Sequence, residues 1–549
     1  MAQRVSIRGN AKRIDQILRI LAKYGLAEWL GSAQPDLLAK YMQSGEGEDL
    51  VGMSREARIR AAILELGPTF IKLGQIFSTR SDLLGPELAA ELSKLQSNTP
   101  ADPPEVVRAT IEGELGRPIE EVYRELDLEA LASASIGQAH SAKLPDGQKV
   151  IVKVQHQGIE EKITHDLEIL GSLAELAEKH NAELRLYQPV KNIADFKKQL
   201  LFELDFGREA RNLETFNNNF EKDRRIVAPR PFPECSTRRV LTMERIEGTS
   251  VAHAEDLRAA GIDTADIAER GADAYMDMIF RDRFYHADPH PGNIFVLPDG
   301  ETLGFLDFGM IGRVDEVTLE KFEGLLGAVV SRDTEELTYY LLQLGDFPTD
   351  LDRDAFQAAV SEFIAEYIPE KFSEGDFTTA ATAATDLVRE YHIVLDPVYS
   401  LLLKVLVTLE GTAQILTPSF NLGAFLKRSQ PKIMRARFGP ARFARKAQRR
   451  VREWDRLVAA APADIADILD RLRRGTFDVN LEHRKLDKVT NRVVYGILVA
   501  ALFLGSVQLW TNEVPPMIGG YSVLGIAGLA AAGYLGVRLL RAIHKSGDL

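Results

Sequence analysis

The chain has 549 residues, of which 45% are hydrophobic and 27% are charged. This length predicts two to four domains, and the composition excludes both a disordered chain and a protein that crosses a membrane many times. The single cysteine, Cys235, excludes an internal disulfide framework and a metal site built from cysteines, and it fits a reducing compartment. A formal net charge of −13 argues against nucleic acid as the partner of the whole chain.

Residues 1–100 predict a helical extension. The polar start, residues 1–16, lacks the apolar segment of a secretory signal, and amphipathic periodicity predicts a helix over 13–30. A Gly/Glu-rich stretch over 44–52 predicts a linker. A further helix is expected over 68–80, because Gly-Pro precedes an apolar stripe and proline suits the first helical turn.

Residues 101–247 predict a small lobe of mixed helix and strand. Alternating residues over Gln138–Leu144 and a β-branched run over Lys149–Val154 flank a Pro-Asp-Gly turn, which predicts a β-hairpin. The later predicted elements are helices Ile159–His180 and Val190–Phe216 and a strand over Arg239–Ile246.

Residues 248–426 predict a mostly helical lobe. The pattern favours a helix over Thr264–Phe284 and two short strands, Asn293–Val296 and Gly304–Leu306, on either side of a Pro-Asp-Gly turn. After Gly309 the sequence shows only helical periodicity. The whole predicts an α+β arrangement followed by helices.

The strongest chemical signal is a pair of motifs in this lobe. Residues 286–293 read H-A-D-P-H-P-G-N, and D-F-G follows at 307–309. The spacing Asp-x4-Asn followed by D-F-G matches kinase catalytic loops. Asn293 and Asp307 would supply the oxygen ligands that Mg²⁺ prefers, and Asp288 would accept or orient the proton of an attacking nucleophile. The sequence therefore predicts phosphoryl transfer from a nucleotide.

A lysine for the nucleotide phosphates is expected upstream, at the end of a strand. Lys153 closes a β-branched run, where a charged group is poor core material unless it is paired. A helix around residues 202–214 offers three carboxylates as its partner, Glu203, Asp205 and Glu209. The alternative is that these carboxylates only form the solvent-exposed face of a helix.

The loop expected to cover the nucleotide departs from the protein-kinase pattern. Where kinases carry three glycines, only Gly137 remains, sixteen residues before Lys153, so the nucleotide should lie differently under this loop. A hinge whose backbone could bond adenine is expected at the end of the following strand. The predicted nucleotide-binding residues are Ala132, Ser133, Ala134, Ser135, Ile136, Gly137, Gln138, Lys153 and Glu209, with Met243, Glu244 and Ile246 at the hinge.

Two apolar segments within residues 492–549 predict a transmembrane helical hairpin. Val493–Trp510 and Met517–Val537 contain no Asp, Glu, Lys or Arg, and at about 1.5 Å per residue each is roughly as long as the hydrocarbon core is thick. Basic residues flank the pair but are absent from the connector, so both ends should lie in the cytoplasm. A buried hairpin in a soluble core is the alternative. Small residues on the second helix permit close packing, within the hairpin or in a homodimer.

Residues 427–491 predict a basic amphipathic segment next to the membrane. From Lys427 to Arg456 there are twelve Lys or Arg and two acidic residues, a local charge of +10. Beside a membrane anchor, binding to anionic lipid is favoured over binding to RNA, since each basic residue contributes about 1 kcal/mol at an anionic surface. A solvated helix face is the alternative.

At these motifs the chain resembles the UbiB family of atypical, protein-kinase-like proteins linked to ubiquinone biosynthesis. The family's K-x-G-Q motif reads Lys72-Leu73-Gly74-Gln75, its Ala-rich loop is 132–138, and its E-x-D motif is Glu203-Leu204-Asp205. The resemblance covers roughly residues 65–312 and extends to the C-terminal hairpin. Ordinary kinases lack both the K-x-G-Q motif and the Ala-rich loop.

The resemblance implies an atypical protein-kinase-like bilobal fold that uses ATP or ADP with Mg²⁺. It implies N-terminal helices that lie over the active site and hinder protein substrates, leaving ATP hydrolysis or a lipid-linked role. It also implies that Glu209 pairs with Lys153, and that Glu203 and Asp205 contact the helix carrying Lys72 and Gln75. The location implied is the bacterial cytoplasmic (inner) membrane, with the catalytic part in the cytoplasm.

Three functions stay open at this point. The first is a membrane-anchored ATPase or atypical kinase that supports synthesis of an isoprenoid quinone, with anionic lipid and quinone-biosynthesis intermediates or enzymes as partners. The second is a small-molecule phosphotransferase, because the 286–293 motif also resembles aminoglycoside and choline kinases. The third is a non-catalytic nucleotide-binding scaffold. No A-P-E motif follows Gly309, which favours an acceptor other than protein.

Overall fold

The structure is a computed structural model that describes residues 7–26, 53–95, 99–180, 185, 187–368, 376–429, 486–512, 514–518 and 521–544. The chain divides into two compact units, Met1–Gly439 and Pro440–Leu549. Most of the predicted basic segment, residues 430–485, lies outside the described residues.

The N-terminal extension is helical, and its helix boundaries follow local capping signals. The Ser54 side chain accepts a hydrogen bond from the Ala57 N–H at the start of the second helix, and Gly67, with φ of 95°, ends it. Pro68 then occupies the first turn of the next helix, as predicted, although that helix ends at Phe77 rather than near Arg80. The helices are α1 (Ile7–Lys23), α2 (Arg55–Leu66), α3 (Pro68–Phe77), α4 (Ser81–Leu84) and α5 (Pro86–Leu92).

A buried ion pair connects this extension to the later helical part of the chain. Arg80 Nη2 lies 2.8 Å from Asp82 Oδ2, and the same nitrogen donates a hydrogen bond to the Leu395 carbonyl at 3.1 Å. Ser400 Oγ donates to Asp82 Oδ1 at 3.3 Å. Both charged side chains are buried, so the extension is fixed by contacts with residues more than 300 positions further along the chain.

An antiparallel sheet forms the first lobe, in the order β1-β3-β4-β6, with β2 paired to β3. In β4, Val150, Val152 and Val154 are buried, and the alternation of the strand places Lys153 on the opposite face. Lys153 pairs in register with Ala139 on one side. The elements are α6 (Pro104–Leu115), α7 (Ile119–Val122), β1 (Glu125–Leu126), β2 (Ala132–Ser133), β3 (Gly137–Lys143), β4 (Lys149–Gln155) and, later in the chain, β6 (Val240–Glu244).

The helix predicted over Val190–Phe216 is two helices, and tertiary hydrogen bonds explain the break. The side-chain amide of Gln155 donates to the Leu204 carbonyl, and the Phe206 N–H donates to the Arg238 carbonyl at 2.9 Å. The strands therefore hold the backbone between the two helices, and Glu203 and Glu209 lie on different helices. The three helices of this region are α8 (Ile159–His180), α9 (Pro189–Glu203) and α10 (Phe206–Asn219).

The second lobe begins with short strands around the catalytic motifs. One sheet has the order β5-β10-β9-β7, and β8 pairs with β11. The helix predicted over Thr264–Phe284 ends at Met276, continues as a π-helical turn over Asp277–Asp282, and gives way to a strand at Phe284. The elements are β5 (Ile226–Val227), β7 (Thr249–Ser250), α11 (Ala254–Ala259), α12 (Thr264–Met276), β8 (Phe284–His286), β9 (Ile294–Val296), β10 (Leu303–Phe305) and β11 (Ile311–Arg313).

Helices dominate the described residues between Gly309 and Leu426, as predicted, but three short strands interrupt them. The strand after D-F-G is β11, and β12 (Gly345–Asp346) pairs with β13 (Val394–Leu395). The helix Pro397–Leu416 is long and apolar enough to cross a membrane, but half of it is buried inside the unit, so it is a core helix. The helices are α13 (Glu316–Ser331), α14 (Thr334–Gln343), α15 (Arg353–Tyr367), α16 (Phe377–Glu390) and α17 (Pro397–Leu416).

The second unit contains the predicted pair of apolar helices, α18 (Leu486–Thr511) and α19 (Val523–His544). Residues 494–511 are long and apolar enough to cross a membrane and are only 6% buried. The second helix begins at Val523 rather than at Met517, because the short strands β14 (Met517–Ile518) and β15 (Tyr521–Ser522) precede it. A Cβ added at Gly528 would lie 2.1 Å from Ser506 Oγ, so the glycine lets the two helices approach closely.

Candidate functional site

Lys153 lies at the centre of the site and contacts two carboxylates. Its Nζ is 2.5 Å from Glu209 Oε1 and 3.1 Å from Asp307 Oδ1. Glu209 is buried, whereas 60% of the Asp307 side chain is exposed. The ion pair that the family resemblance implies for Lys153 and Glu209 is therefore present, and Asp307 lies beside it.

Burial disfavours the charged forms of Lys153, Glu209 and Asp307, and their opposite charges offset this effect. Burial alone would lower the pKa of Lys153, but Asp307 and Glu209 raise it above its ordinary value, so the lysine stays charged. The Lys153 ammonium holds the pKa of Asp307 well below its usual range, against the opposing effect of desolvation. Burial raises the pKa of Glu209, and Lys153 partly offsets that rise. The result is a fixed positive charge next to an ionised, accessible carboxylate.

The catalytic loop is held by hydrogen bonds within the motif at 286–293. Asn293 Nδ2 donates to Asp288 Oδ2 at 2.9 Å and to the Asp288 carbonyl at 3.2 Å. His286 is buried; its Nε2 lies 2.8 Å from the Leu306 carbonyl, and its Nδ1 accepts a hydrogen bond from the Asp288 N–H at 3.2 Å. His286 thus connects the loop to the residue just before Asp307.

Asp307 has a left-handed backbone conformation, with φ of 59°. The following side chain, Phe308, is fully buried and packs against His286 and Phe216, with ring centroids 5.1 and 4.8 Å away. Asn212 Nδ2 donates to the Phe308 carbonyl at 3.1 Å. The buried ring and this hydrogen bond fix the backbone that points Asp307 towards Lys153.

The residues at this position fit a Mg²⁺–nucleotide complex. Because the amide nitrogen of Asn293 donates to Asp288, the amide oxygen is left to act as an acceptor or ligand. Asp307 supplies an exposed carboxylate, and oxygen ligands are those that Mg²⁺ prefers. Within the described residues, no group of three or more His, Cys, Asp or Glu side chains could hold a metal. Asn293 and Asp307 would therefore supply two oxygen ligands, and phosphate oxygens would be needed to complete the coordination of Mg²⁺.

The Ala-rich loop presents only part of its length to solvent. Ala132 and Ala134 are exposed and Ser133 and Gly137 are half buried, whereas the other three predicted loop residues are buried. A Cβ on Gly137 would lie 2.5 Å from the Val154 carbonyl oxygen, so this glycine is needed for strand packing. The buried residues of the loop are Ser135, Ile136 and Gln138.

His156, which the sequence did not predict as a site residue, contacts the backbone of this loop. His156 is buried; its Nε2 lies 3.0 Å from the Ala134 carbonyl and its Nδ1 lies 3.3 Å from Asp102 Oδ2. The Ile136 carbonyl accepts a hydrogen bond from the His156 N–H at 3.0 Å. Its position three residues after Lys153 was the available signal, because the end of β4 must adjoin the loop that precedes β3.

The predicted hinge lies at the end of β6, and its backbone is already engaged in part. The Glu244 N–H donates to the Arg230 carbonyl at 2.8 Å, and the Arg245 N–H donates to the Lys149 carbonyl at 3.2 Å. Met243 is buried and Ile246 is half buried. Adenine recognition by Met243, Glu244 and Ile246 stays a prediction.

The K-x-G-Q helix, α3, meets the E-x-D motif through one ion pair. Lys72 Nζ lies 2.7 Å from Glu203 Oε2. Burial would lower the pKa of Lys72, but Glu203, together with Asp307 and Asp288, raises it. Lys72 therefore interacts with Asp307 and Asp288 as well as with Glu203, so α3 borders the predicted site.

The other two predicted residues of these motifs have different contacts. Gln75 Nε2 donates to the Leu95 carbonyl at 3.0 Å, and Asp205 Oδ2 lies 3.3 Å from Arg211 Nη2. Gln75 therefore holds the extension together, and Asp205 precedes α10 as its N-terminal residue. The described ion-pair partner of Asp205 is therefore Arg211 on α10, and not a residue of α3.

Comparison with known proteins gives matches over most of the chain. The ABC1 atypical kinase-like domain matches residues 94–341, the UbiB helical domain matches 360–421, and the ABC1/UbiB kinase-like C-terminal domain matches 480–545. A probable protein kinase UbiB of Marinobacter nauticus is 34% identical over 424 residues, which is 77% of this chain and 78% of that protein. A probable protein kinase UbiB of Glaesserella parasuis is 30% identical over 531 residues, 92% of this chain and 94% of that protein.

A protein of Synechocystis, sll1770, is 33% identical over 470 residues, 84% of this chain and 80% of that protein. Among solved structures, the complex of Rv3197 with erythromycin from Mycobacterium tuberculosis covers 70% of this chain and 99% of that chain, at 20% identity and a TM-score of 0.39. The identities over most of both chains confirm the family and the fold class that the motifs predicted. The chain belongs to the UbiB family of ABC1 atypical kinase-like proteins and has a protein-kinase-like fold with two apolar C-terminal helices.

Proposed function

We propose that this protein is a membrane-anchored, atypical kinase-like ATPase that binds Mg²⁺–nucleotide and supports the synthesis of ubiquinone or another isoprenoid quinone. The observation that carries the proposal is the position of Lys153, in contact with both Glu209 and Asp307. The link to quinone synthesis rests on membership of the UbiB family.

Each charged residue has a defined task in the proposed reaction. Lys153, kept charged by its two carboxylates, would bind nucleotide phosphates. Asn293 and Asp307 would hold Mg²⁺, which neutralises the charge between the β- and γ-phosphate oxygens when bound. Asp288 accepts a hydrogen bond from Asn293 through Oδ2, which leaves Oδ1 to take the proton of the attacking nucleophile.

The acceptor is proposed to be water or a lipid-like quinone precursor rather than a protein. Only residues 310–315 separate D-F-G from α13, and they include the paired strand β11, so no long segment is available to dock a peptide. The K-x-G-Q helix borders the same site through Lys72. Both features favour a small or lipid-linked acceptor.

Substitution of the charged cluster tests nucleotide binding. Lys153→Ala and Asp307→Ala should each weaken Mg²⁺-ADP binding at least tenfold, measured by calorimetry on the full chain in detergent. Lys321→Ala is the matched control, because this half-buried lysine donates only to the Gln343 carbonyl among its described contacts. Unchanged affinity in both cluster variants would overturn the nucleotide site.

Complementation of a quinone-deficient deletion strain tests the biological role. The wild-type chain should restore quinone in a solvent extract, and Asp307→Asn should not. Full complementation by Asp307→Asn, together with loss of ATP hydrolysis, would identify a nucleotide-binding scaffold instead. Stoichiometric transfer of labelled phosphate to an amino-sugar or choline would identify a small-molecule phosphotransferase.

A further inference from the structure

One residue holds the middle of the Ala-rich loop, residues 132–138. The Nε2 atom of His156 lies 3.0 Å from the Ala134 carbonyl oxygen, and the His156 N–H donates to the Ile136 carbonyl at 3.0 Å. Within the loop, the Ala134 N–H donates to the Gly137 carbonyl at 2.9 Å. The loop is therefore a hydrogen-bonded turn that is attached to the end of β4 through both the side chain and the backbone of His156.

Asp102, in the segment just before α6, attaches the same loop from a second direction. Its N–H donates to Gln138 Oε1 at 2.6 Å, and its Oδ2 accepts a hydrogen bond from the Gln157 N–H at 2.9 Å. The same carboxylate oxygen lies 3.3 Å from Nδ1 of His156. Asp102 therefore connects the last residue of the loop to the end of β4, and the His156 ring lies between Asp102 and the loop.

The two ring nitrogens of His156 both face oxygen atoms, and the residue is buried. A neutral imidazole has one N–H and one lone pair, so either tautomer would turn a lone pair towards the oxygen of Asp102 or of Ala134. Nδ1 makes no hydrogen bond among the described residues, so its described interaction is the ion pair with Asp102. The imidazolium, which carries a hydrogen on both nitrogens, is the form that fits both neighbours.

The surroundings of His156 supply a negative charge that balances this cation. In the part of the chain that the structure describes, Asp102 is the one carboxylate that pairs with a ring nitrogen of His156. From the loop, the ring meets the Ala134 carbonyl and the Ser133 hydroxyl, whose oxygen lies 3.4 Å from Nε2. A buried cation needs a paired anion, and loss of the proton would leave a lone pair of the ring against the carboxylate. Protonation of His156 is thus coupled to the position of the loop.

We propose that protonated His156, paired with Asp102, is a positioning residue that holds the Ala-rich loop over the nucleotide site, and that loss of its proton releases the loop. Histidine is the side chain whose charge ordinarily changes between about pH 5 and 8, so the loop is held at the acidic end of this range and released at the alkaline end. The inference rests on the proposed function, because it takes this loop as the cover of the nucleotide. His156 acts through the backbone of the loop, and no covalent step takes place at its ring.

Hydrogen exchange of the full chain in detergent, without nucleotide, tests the attachment of the loop. The measured quantity is the protection factor of a peptide that covers residues 132–138, corrected for the intrinsic effect of pH on exchange. In the wild type, protection should fall about tenfold between about pH 6 and pH 8.5, as the ring loses its proton. His165→Gln is the matched control, because His165 is exposed on α8 and its loss should leave this fall unchanged.

Two variants separate the charge of the ring from its packing. His156→Gln keeps an N–H donor for the Ala134 carbonyl but does not titrate, so its protection should be equal at the two pH values. Asp102→Asn removes the charge that favours the protonated ring, so protection should be lost at a lower pH than in the wild type.

A merely structural role would lower protection in both variants and leave its pH dependence as in the wild type, and that result would overturn the proposal. Equal protection at both pH values in the wild type would overturn it as well. If His156→Gln does not fold, an unshifted pH dependence in Asp102→Asn overturns it equally.

Affinity for Mg²⁺-ADP, measured by calorimetry at the same two pH values, tests the effect of the loop on the nucleotide. The Kd at the higher pH, divided by the Kd at the lower pH, should be at least threefold larger in the wild type than in His156→Gln. This comparison cancels the titration of the nucleotide itself. Equal ratios in the two proteins would contradict the positioning role.

The outcomes also separate this inference from the proposed function. Loop protection that depends on His156 and on pH, in a chain that binds no Mg²⁺-ADP, would support the attachment of the loop and contradict the proposed nucleotide site. Binding of Mg²⁺-ADP and ATP hydrolysis, with loop protection that is independent of His156, would do the reverse.

Discussion

Lys153 shows how a residue can be placed from sequence with few assumptions. Its β-branched neighbours require a strand, and the alternation of that strand turns the lysine away from the valines. A charged group in such a position needs a partner, and the sequence offered three carboxylates. Only the structure selects among them, because the break between α9 and α10 directs Glu209 to Lys153 and Glu203 to Lys72.

Gly137 has a packing role that the sequence did not predict. Its predicted part in nucleotide binding stays a prediction, and its lack of a side chain is needed where β3 approaches the backbone of β4. Close approach between strands depends on tertiary packing and leaves no local pattern, so the sequence alone could not reveal it.

Gly137→Ala should destabilise the protein. The new Cβ would lie 2.5 Å from the Val154 carbonyl oxygen, and backbone cannot move aside as a flexible side chain can. We expect a loss of about 1–3 kcal/mol, as for overpacking elsewhere, and a Tm lower by several degrees in a thermal unfolding scan.

Gly113→Ala is the matched control. This glycine is exposed on α6 with no atom near its added Cβ, and alanine favours helix by up to about 1 kcal/mol. Its Tm should equal or exceed that of the wild type. A Gly137→Ala protein as stable as Gly113→Ala would contradict the packing role.

At the scale of elements, one long helix was predicted with its observed bounds, two others were predicted too long, and several short strands were not predicted. Ile159–His180 was predicted with the bounds that the structure has. In contrast, β11, β12 and β13 contain two or three residues each, too few for alternation to be seen. Strands of this length are formed by their partners, which sequence periodicity does not encode.

The ion pair between Lys72 and Glu203 should stabilise the contact of α3 with α9. Both side chains are mostly buried, so Lys72→Met should destabilise the protein by about 1–3 kcal/mol, between the values for surface and buried pairs. The effect of Glu203→Gln should not add to it in a double-mutant cycle.

The stabilisation from Lys72 should depend on pH in one direction. Its pKa is raised above the ordinary value of 10.5, so the contribution is fully present below that value and is lost as the pH rises through the higher pKa of the folded state. The difference in Tm between the wild type and Lys72→Met should therefore be constant from pH 7 to 9 and shrink above pH 10.5. A difference that grows at alkaline pH would contradict the assignment.

Packing of the apolar hairpin should depend on Gly528. A cysteine pair, Val499→Cys with Gly536→Cys, should cross-link, because an added Cβ at Gly536 lies 3.7 Å from Val499 Cγ1. The native cysteine, Cys235, is buried and should not interfere. Adding Gly528→Val should lower the cross-linked fraction severalfold, since the side chain would strike Ser506.

The control for this experiment is Gly533→Val on the same helix. No atom lies within 4 Å of an added Cβ at Gly533, so the cross-linked fraction should be unchanged. Equal loss in both variants would show that the cross-link reports a general change in the helix rather than the contact at Ser506.

At the scale of the whole molecule, the absence of charged residues was enough to predict the two apolar helices. The kinase-like fold was implied by the family resemblance, which rests on motifs in the order known from protein kinases: a strand lysine, a catalytic carboxylate and two metal ligands. The contact of α17 with the loop at 286–293 could not be predicted, since Thr412, whose hydroxyl donates to the Pro289 carbonyl, lies 123 residues later in an apolar run typical of a core helix.

The proposed membrane anchor predicts how the protein fractionates. The full chain should stay with membranes after washing with high salt and with alkaline carbonate. A chain that ends at residue 485 should be released by high salt, because it retains only the basic segment, whose attraction to anionic lipid is screened. Retention of the shortened chain after both washes would contradict the hairpin as anchor.

The buried pair of Arg80 and Asp82 has a consequence for synthesis on the ribosome. The extension is made first, yet the carbonyl that its arginine binds belongs to Leu395, 315 residues later. At roughly 5–20 residues per second, the nascent extension waits on the order of 15–60 s for that partner to be translated. During this interval Arg80 and Asp82 lack the groups that they bind in the folded protein, so the extension cannot complete its packing before residues 395–400 have been made.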